Sequence, residues 1–354
     1  MGREGGYMKG WQAGVNMASS GFITRVFSAL IFAVLLAMMP STAARAAVAH
    51  EAPELRVGVL AFGSVDWEID TVQRLGLARK HGIRLEVVPL ASENAMKVAL
   101  LSGKVDLIVS DWFWVATLRS HGQDYQFVPY SKAVGAVIAN PAAGIKSLAD
   151  LKGKRVGVAG GPVDKSWLIA RAYARKEYGI DLMSAARPQF AAAPLINHMV
   201  LAGGLPAAIN FWQYSARLLA QGMQPVITVE QMLKALGVKT VPPLLGWVFP
   251  QRWAQTHGDV LRAFIAATYD AKQVLAHSDA AWQPLRSKVK PENAAVFAAI
   301  RQGYRDGIVD QFGPPQIRAA EQLFRLVAQE SHGQLTGGMS ELPPDVFWSG
   351  FRRP

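Results

Sequence analysis

The stretch Leu55-Arg56-Val57-Gly58-Val59-Leu60-Ala61-Phe62-Gly63-Ser64 decides the fold. A short apolar run rich in valine ends in a glycine turn, which reads as a strand delivering the chain to a loop. Asp70 to His81 follows with helical spacing, Val72, Leu75 and Leu77 being apolar, and closes on Gly82. Arg84-Leu85-Glu86-Val87-Val88 is a second strand. Ser92 caps a helix running to Leu101 and stopped by Gly103, and Val105 to Val109 is a third strand. The strands are continuous in apolar content, as expected where helices cover both sheet faces. Their alternation with helices predicts a parallel, doubly wound sheet.

The pattern then restarts. Ala133 to Ala139, Arg155 to Ala159, Pro188 to Ala192, Ala207 to Phe211 and Pro225 to Val229 read as strands. Helices are expected at Asp164 to Tyr178, Leu195 to Leu201 and Tyr214 to Ala220. Leu100 to Ile108 is echoed by Val200 to Ile209, with Gly103 over Gly204. From Gln251 onward the chain reads as mainly helical. Two βα units of similar size are therefore expected.

The first 46 residues carry Arg3, Lys9, Arg25 and Arg45 against Glu4, and an apolar run from Val26 to Met39 broken by Ser28. Ala44-Arg45-Ala46 follows. A basic flank, a short apolar core and an Ala-x-Ala site predict a secretory signal peptide over residues 1–46, cleaved after Ala46. The run is short for a membrane span, which needs about 20 residues. An uncleaved anchor is the alternative, and Met8 or Met17 are candidate starts. The remainder, 308 residues with a net charge of +8, suggests two domains. Its charge is scattered, and Lys152-Gly153-Lys154-Arg155 reads as a solvated turn rather than a nucleic-acid patch. The sequence has no cysteine, which excludes a lipoprotein anchor, disulfides, zinc-thiolate sites and thiol nucleophiles.

Four stretches, Gly76 to Val87, Leu101 to Asp106, Ile145 to Val158 and His257 to Phe264, together resemble the periplasmic solute-binding proteins of ABC importers that take nitrate, sulfonates, taurine and thiamine precursors. The resemblance implies an α/β, two-lobed periplasmic-binding-protein fold. Lobe 1 would comprise residues 55–133 plus 251–354, and lobe 2 residues 134–250. Crossings near Tyr130 to Val134 and Leu245 to Pro250 would form a hinge that closes on ligand. The family usually has an aspartate where this chain has Ala207. The implied partners are a small-molecule or ion ligand and ABC permease subunits at the inner membrane, with the protein a periplasmic monomer. No cofactor and no nucleic acid are expected.

Ligands of open α/β sheets bind at the carboxyl ends of the strands. That rule selects Gly63, Ser64 and Trp67, then Ser92 and Glu93, then Ser110, Asp111 and Trp112. In the second unit it selects Gly160, Gly161, Asp164 and Ser166, then Asn210 and Trp212; Trp247 lies on the return crossing. Each has a bland reading, as helix cap, tight turn or core aromatic. Together the carboxylates and indoles favour an amine, a heterocycle or a metal ion or its complex over a sulfonate or nitrate held by helix N-termini. No arginine fork for a carboxylate occurs in these loops. Catalytic motifs such as Gly-x-Ser-x-Gly and His-Glu-x-x-His are absent, so a binding protein is expected rather than an enzyme. A periplasmic accessory protein without a transporter, or an enzyme on the same fold, are the competing readings.

Overall fold

Val57, Val59, Leu107 and Val109 are buried because helices cover both faces of the sheet that holds them. This computed structural model describes residues 52–61 and 63–350. The expected leader over residues 1–46 lies outside the described residues. The first half runs β1 (Glu54–Leu60), α1 (Ser64–Arg74), β2 (Arg84–Leu90), α2 (Glu93–Leu101), β3 (Leu107–Asp111), α3 (Trp112–Ser120) and β4 (Tyr125–Ser131). The chain continues with β5 (Ala136–Ala139), β6 (Arg155–Ala159), α4 (Lys165–Tyr178), β7 (Arg187–Ala191), α5 (Ala193–Leu201), β8 (Ala207–Asn210), α6 (Trp212–Ala220), β9 (Gln224–Thr228) and α7 (Val229–Ala235). It closes with β10 (Leu245–Pro250), α8 (Gln251–Thr256), α9 (Gly258–His277), α10 (Ala294–Asp306) and α11 (Pro314–Glu330). Among the described residues no helix is long and apolar enough to cross a membrane.

The strands form two five-stranded sheets, in the orders β2-β1-β3-β10-β4 and β7-β6-β8-β5-β9. These are the same topology used twice. Neither sheet is purely parallel, as strand-helix alternation alone predicts. β10 runs antiparallel to both β3 and β4, and β5 antiparallel to both β8 and β9. β5 enters its sheet directly from β4 of the other one, and β10 follows β9 of the other sheet through α7, so neither continues a strand-helix-strand crossover within its own sheet. Leu245 to Pro250, expected as a crossing, is therefore itself a strand of the first sheet.

The crossing from β4 to β5 is tight. A Cβ on Gly135 would stand 1.9 Å from the backbone oxygen of Asn210, so only glycine fits there.

The internal echo is real but shifted by one residue. Gly103 and Gly203 hold the same left-handed turn, at φ 70° and 73°. Leu107 then pairs with Val57 as Ala207 pairs with Val156. In that register Pro206, rather than Ala207, takes the place of Asp106. The Asp106 carboxylate accepts from the Arg56 backbone amide at 2.8 Å and from its guanidinium at 2.6 Å. Pro206 offers only its carbonyl, which accepts from the Asn140 amide at 2.9 Å.

The C-terminal helices strap the two sheets together. α10 packs on α6, and α11 packs on α4. Phe324 of α11 stacks on Phe113, and Glu330 accepts from Arg175 of α4 at 2.5 Å. One apolar cluster consequently runs from Ile108 and Trp112 through Phe324 to Val156 and Leu168.

Candidate functional site

The carboxyl end of the first sheet carries two carboxylate–lysine pairs. β3 ends at Asp111 and β4 at Ser131, both aligned with Leu245 of the intervening β10. Two strand spacings separate them, about 10 Å. A different pair stands near each position.

The pair on the Ser131 side is buried. Glu68 lies one turn into α1, where Trp67, Glu68, Thr71 and Val72 form the buried face. Its Oε2 accepts from Lys272 of α9 and from the Tyr304 hydroxyl of α10, the latter at 2.6 Å. The Lys272 ammonium sits 4.0 Å over the Tyr130 ring. Tyr130 in turn meets Trp247 edge-on. Burial holds the Lys272 ammonium below the ordinary lysine range, although the Glu68 charge opposes this. Burial also pushes the Tyr130 and Tyr304 phenols well up, with the Glu68 carboxylate adding to it. A cavity of about 10 Å³, room for one water, is lined by Ser64, Tyr130, Ser131, Trp212, Lys272 and Tyr304 among others. Among the described residues the Trp67 Nε1 and Glu68 Oε1 have no hydrogen-bond partner. Trp212 arrives from the second sheet and meets Trp67 edge-on at 6.3 Å.

The pair on the Asp111 side joins the two sheets. Asp111 Oδ1 accepts from the Trp114 amide at 2.9 Å and so caps α3. Its Oδ2 accepts from the Lys165 ammonium at 3.3 Å. Lys165 opens α4, whose cap is Asp164, accepting from the Ser166 and Trp167 amides. Burial pushes the Asp111 carboxyl up, but Lys165, Lys97 and the Trp114 amide together hold it below the usual range. Burial pulls the Lys165 ammonium down, but Asp111, Asp164 and Glu93 hold it above the usual lysine value. Asp164 is the contrary case: burial dominates and raises it, despite Lys165.

The sequence-selected residues thus divide. Ser64, Trp67 and Trp212 gather round the buried pair, and Gly63 precedes α1 at φ 109°. Asp111, Gly160, Asp164, Ser166 and Glu93 gather round Lys165; a Cβ on Gly160 would touch the Asp164 carboxylate at 3.4 Å. Gly161 continues that turn at φ 152°. Ser92 caps α2 through the Ala95 amide, the bland reading of that residue.

Four other selected residues are buried among the sheets and helices. Trp112 is fully buried, stacked on Phe113, and donates its indole N–H to the Pro243 carbonyl. Trp247 is buried against Tyr130 and Phe264, because its strand lies mid-sheet. Asn210 spends its amide on Ala193, Asn197 and Phe211. Ser110, the neighbour of Asp111 on β3, is likewise buried. Among the described residues no group of three or more His, Cys, Asp or Glu comes together to hold a metal ion.

Sequence reasoning missed Lys165, Lys272, Tyr130 and Tyr304. One signal was available: Lys272 falls on the apolar stripe Leu261-Phe264-Ile265-Thr268-Lys272-Leu275, where a lysine needs a buried partner.

The profile of the family described as NMT1/THI5 like matches residues 71–281. No curated protein sequence matches the chain. Several solved structures share the fold. The alkanesulfonate-binding protein SsuA from Xanthomonas axonopodis pv. citri, bound to MOPS, matches at 18% identity with a TM-score of 0.63, covering 85% of this chain and 99% of its own. A ligand-binding component of an ABC-type import system from Staphylococcus aureus, with zinc bound, matches at 11% identity and a TM-score of 0.60, covering 83% and 96%. The desulfurization enzyme DSZB matches at 12% identity and a TM-score of 0.56, covering 83% and 97%. A sulfonate binder, a zinc-bound protein and an enzyme on one fold leave the ligand to be argued from side chains.

Proposed function

The chain belongs to the NMT1/THI5 like family, and from that premise we propose that it is the substrate-binding component of an ABC-type importer. It is exported to the periplasm by cleavage after Ala46. Residues 55–133 plus 251–354 act as one lobe and 134–250 as the other, closing about the crossings before β5 and β10. The ligand is captured between the carboxyl ends of the two sheets and handed to a membrane permease. It carries an amine or an N–H-bearing heterocycle.

One observation carries the ligand reading. Asp111 keeps one carboxylate oxygen on its helix cap and turns the other to an ammonium from the opposite sheet. That second oxygen is a ready acceptor for a ligand cation or N–H. Trp212, beside the cavity about 10 Å along the same edge, supplies an aromatic face. Trp112, in the core, is no part of the site. Sulfonate is the second reading, favoured by Lys165, whose ammonium stands at the same seam.

A thermal-shift screen of alkylamines, N-heterocycles and alkanesulfonates tests this, because a ligand of the native state raises the melting temperature. A rise with amines or heterocycles that Asp111→Asn abolishes is expected; asparagine still caps α3. A tight sulfonate response indifferent to Asp111→Asn would overturn the cation reading and leave the binding-protein reading standing.

A further inference from the structure

The contact between Asp111 and Lys165 has three properties that a purely structural ion pair does not need. It is replaceable: 3.3 Å is long for a charge-assisted bond, which is ordinarily 2.7–2.9 Å, and the two side chains are 16% and 24% exposed. It is dispensable to the helix that carries Lys165, since Asp164 caps α4 independently. It also leaves Lys165 an alternative, because Asp164 and Glu93 both act on its ammonium and would compensate its charge after it left Asp111. Lys97 adds a second positive charge acting on Asp111 and rests over the Trp114 ring at 5.1 Å.

We infer that Lys165 is an internal stand-in for the cation of the ligand: in the empty protein its ammonium occupies the free oxygen of Asp111 and ties the two sheets together, and an arriving cation takes its place. The inference rests on the two-lobed binding-protein reading. It adds that a residue of the protein sets specificity by competition. A ligand without a donor strong enough to displace an ammonium leaves the tether in place. A ligand with one binds with an affinity reduced by the fraction of protein already tethered.

The sequence has no cysteine, so two spin labels can be placed without removing a native thiol. Lys104→Cys and Lys152→Cys are exposed positions ahead of β3 and β6, one on each sheet. Electron–electron distance measurements on the full, ligand-free chain should give one narrow distance. Lys165→Met should add a second distance or broaden the first, and Lys165→Arg should restore the narrow one. Asp111→Asn should behave as Lys165→Met does. In a parallel titration with methylammonium, Lys165→Met should bind roughly two- to fivefold tighter than wild type, the range of a partly exposed pair. Unchanged distances in both Lys165→Met and Asp111→Asn would overturn the tether while leaving the binding-protein reading intact. Equal or weaker methylammonium binding by Lys165→Met would overturn the competition.

Discussion

Glu68–Lys272 and Asp111–Lys165 are the same chemistry at the same sheet edge, and they differ in burial. The first pair is 0% and 3% exposed, the second 16% and 24%. The buried pair lies within the first sheet's own helices, roofed by Trp212 and braced by Tyr304 and Tyr130. The half-open pair spans two sheets. Burial makes an ion pair costly to break and unresponsive to solvent. Partial exposure makes it weak, screened and exchangeable. A binding protein needs both, a rigid wall and a contact that yields.

The largest expected effect comes from halving the buried pair. Lys272→Met leaves the Glu68 carboxylate with the Tyr304 hydroxyl but without its ammonium, and should cost about 3–5 kcal/mol of stability in urea unfolding. Combining it with Glu68→Leu removes the uncompensated charge and should recover most of that loss. If the double variant is as unstable as the single one, the pair is not the source of the effect, and packing round Trp67 is.

The next effect tests the roof. A Cβ on Gly303 would stand 2.9 Å from the Trp212 ring, so Gly303→Ala must shift either the indole or α10. Overpacking of this kind should cost about 1–3 kcal/mol. Trp212→Phe in the same background should relieve it. No relief would place the strain in α10 itself and weaken the view that Trp212 closes over the buried pair.

The contrast between the pairs also explains what the sequence discloses. Runs such as Arg56 to Leu60 and stops such as Gly82 and Gly103 make strands and helices legible, because their signals are local. Strand-end geometry finds Asp111, Asp164 and Trp212 for the same reason. It fails for Trp112, since the residue after Asp111 turns into the core as α3 begins. The reversed strands β5 and β10 are invisible locally, because direction within a sheet is fixed by which strand the chain returns to. Lys272 and Tyr304 meet Glu68 across 204 and 236 residues, and no local pattern reports such a meeting. Lys165 was hidden differently: it directly follows Asp164, and its reach to the other sheet exists only in three dimensions.

The smallest effect is the most discriminating. The difference in stability between wild type and Lys165→Met should be at most about 1 kcal/mol, given the exposure of the pair. It should shrink toward zero between 0.01 M and 1 M salt, over which the screening length falls from about 30 Å to 3 Å. Its pH dependence follows from the two shifts. Asp111 is lowered in the folded protein, so its stabilisation is complete above the unfolded carboxyl value near 3.9 and is lost as pH falls through the lower folded one. Lys165 is raised, so its stabilisation is complete below the unfolded lysine value near 10.4 and is lost as pH rises through the higher folded one. The wild-type advantage over Lys165→Met should therefore be flat from about pH 5 to pH 9 and fade at both ends. Lys272 has the opposite alkaline sign. Its folded value is lowered, so between that value and about 10.4 the unfolded chain holds more protons and the contribution of Lys272 rises with pH. Urea unfolding of wild type, Lys165→Met and Lys272→Met across pH and salt reads both signs at once. A Lys165→Met difference that ignores salt and tracks Lys272→Met on the alkaline side would make the two pairs equivalent, and the tether between the sheets would then be a fixed strut.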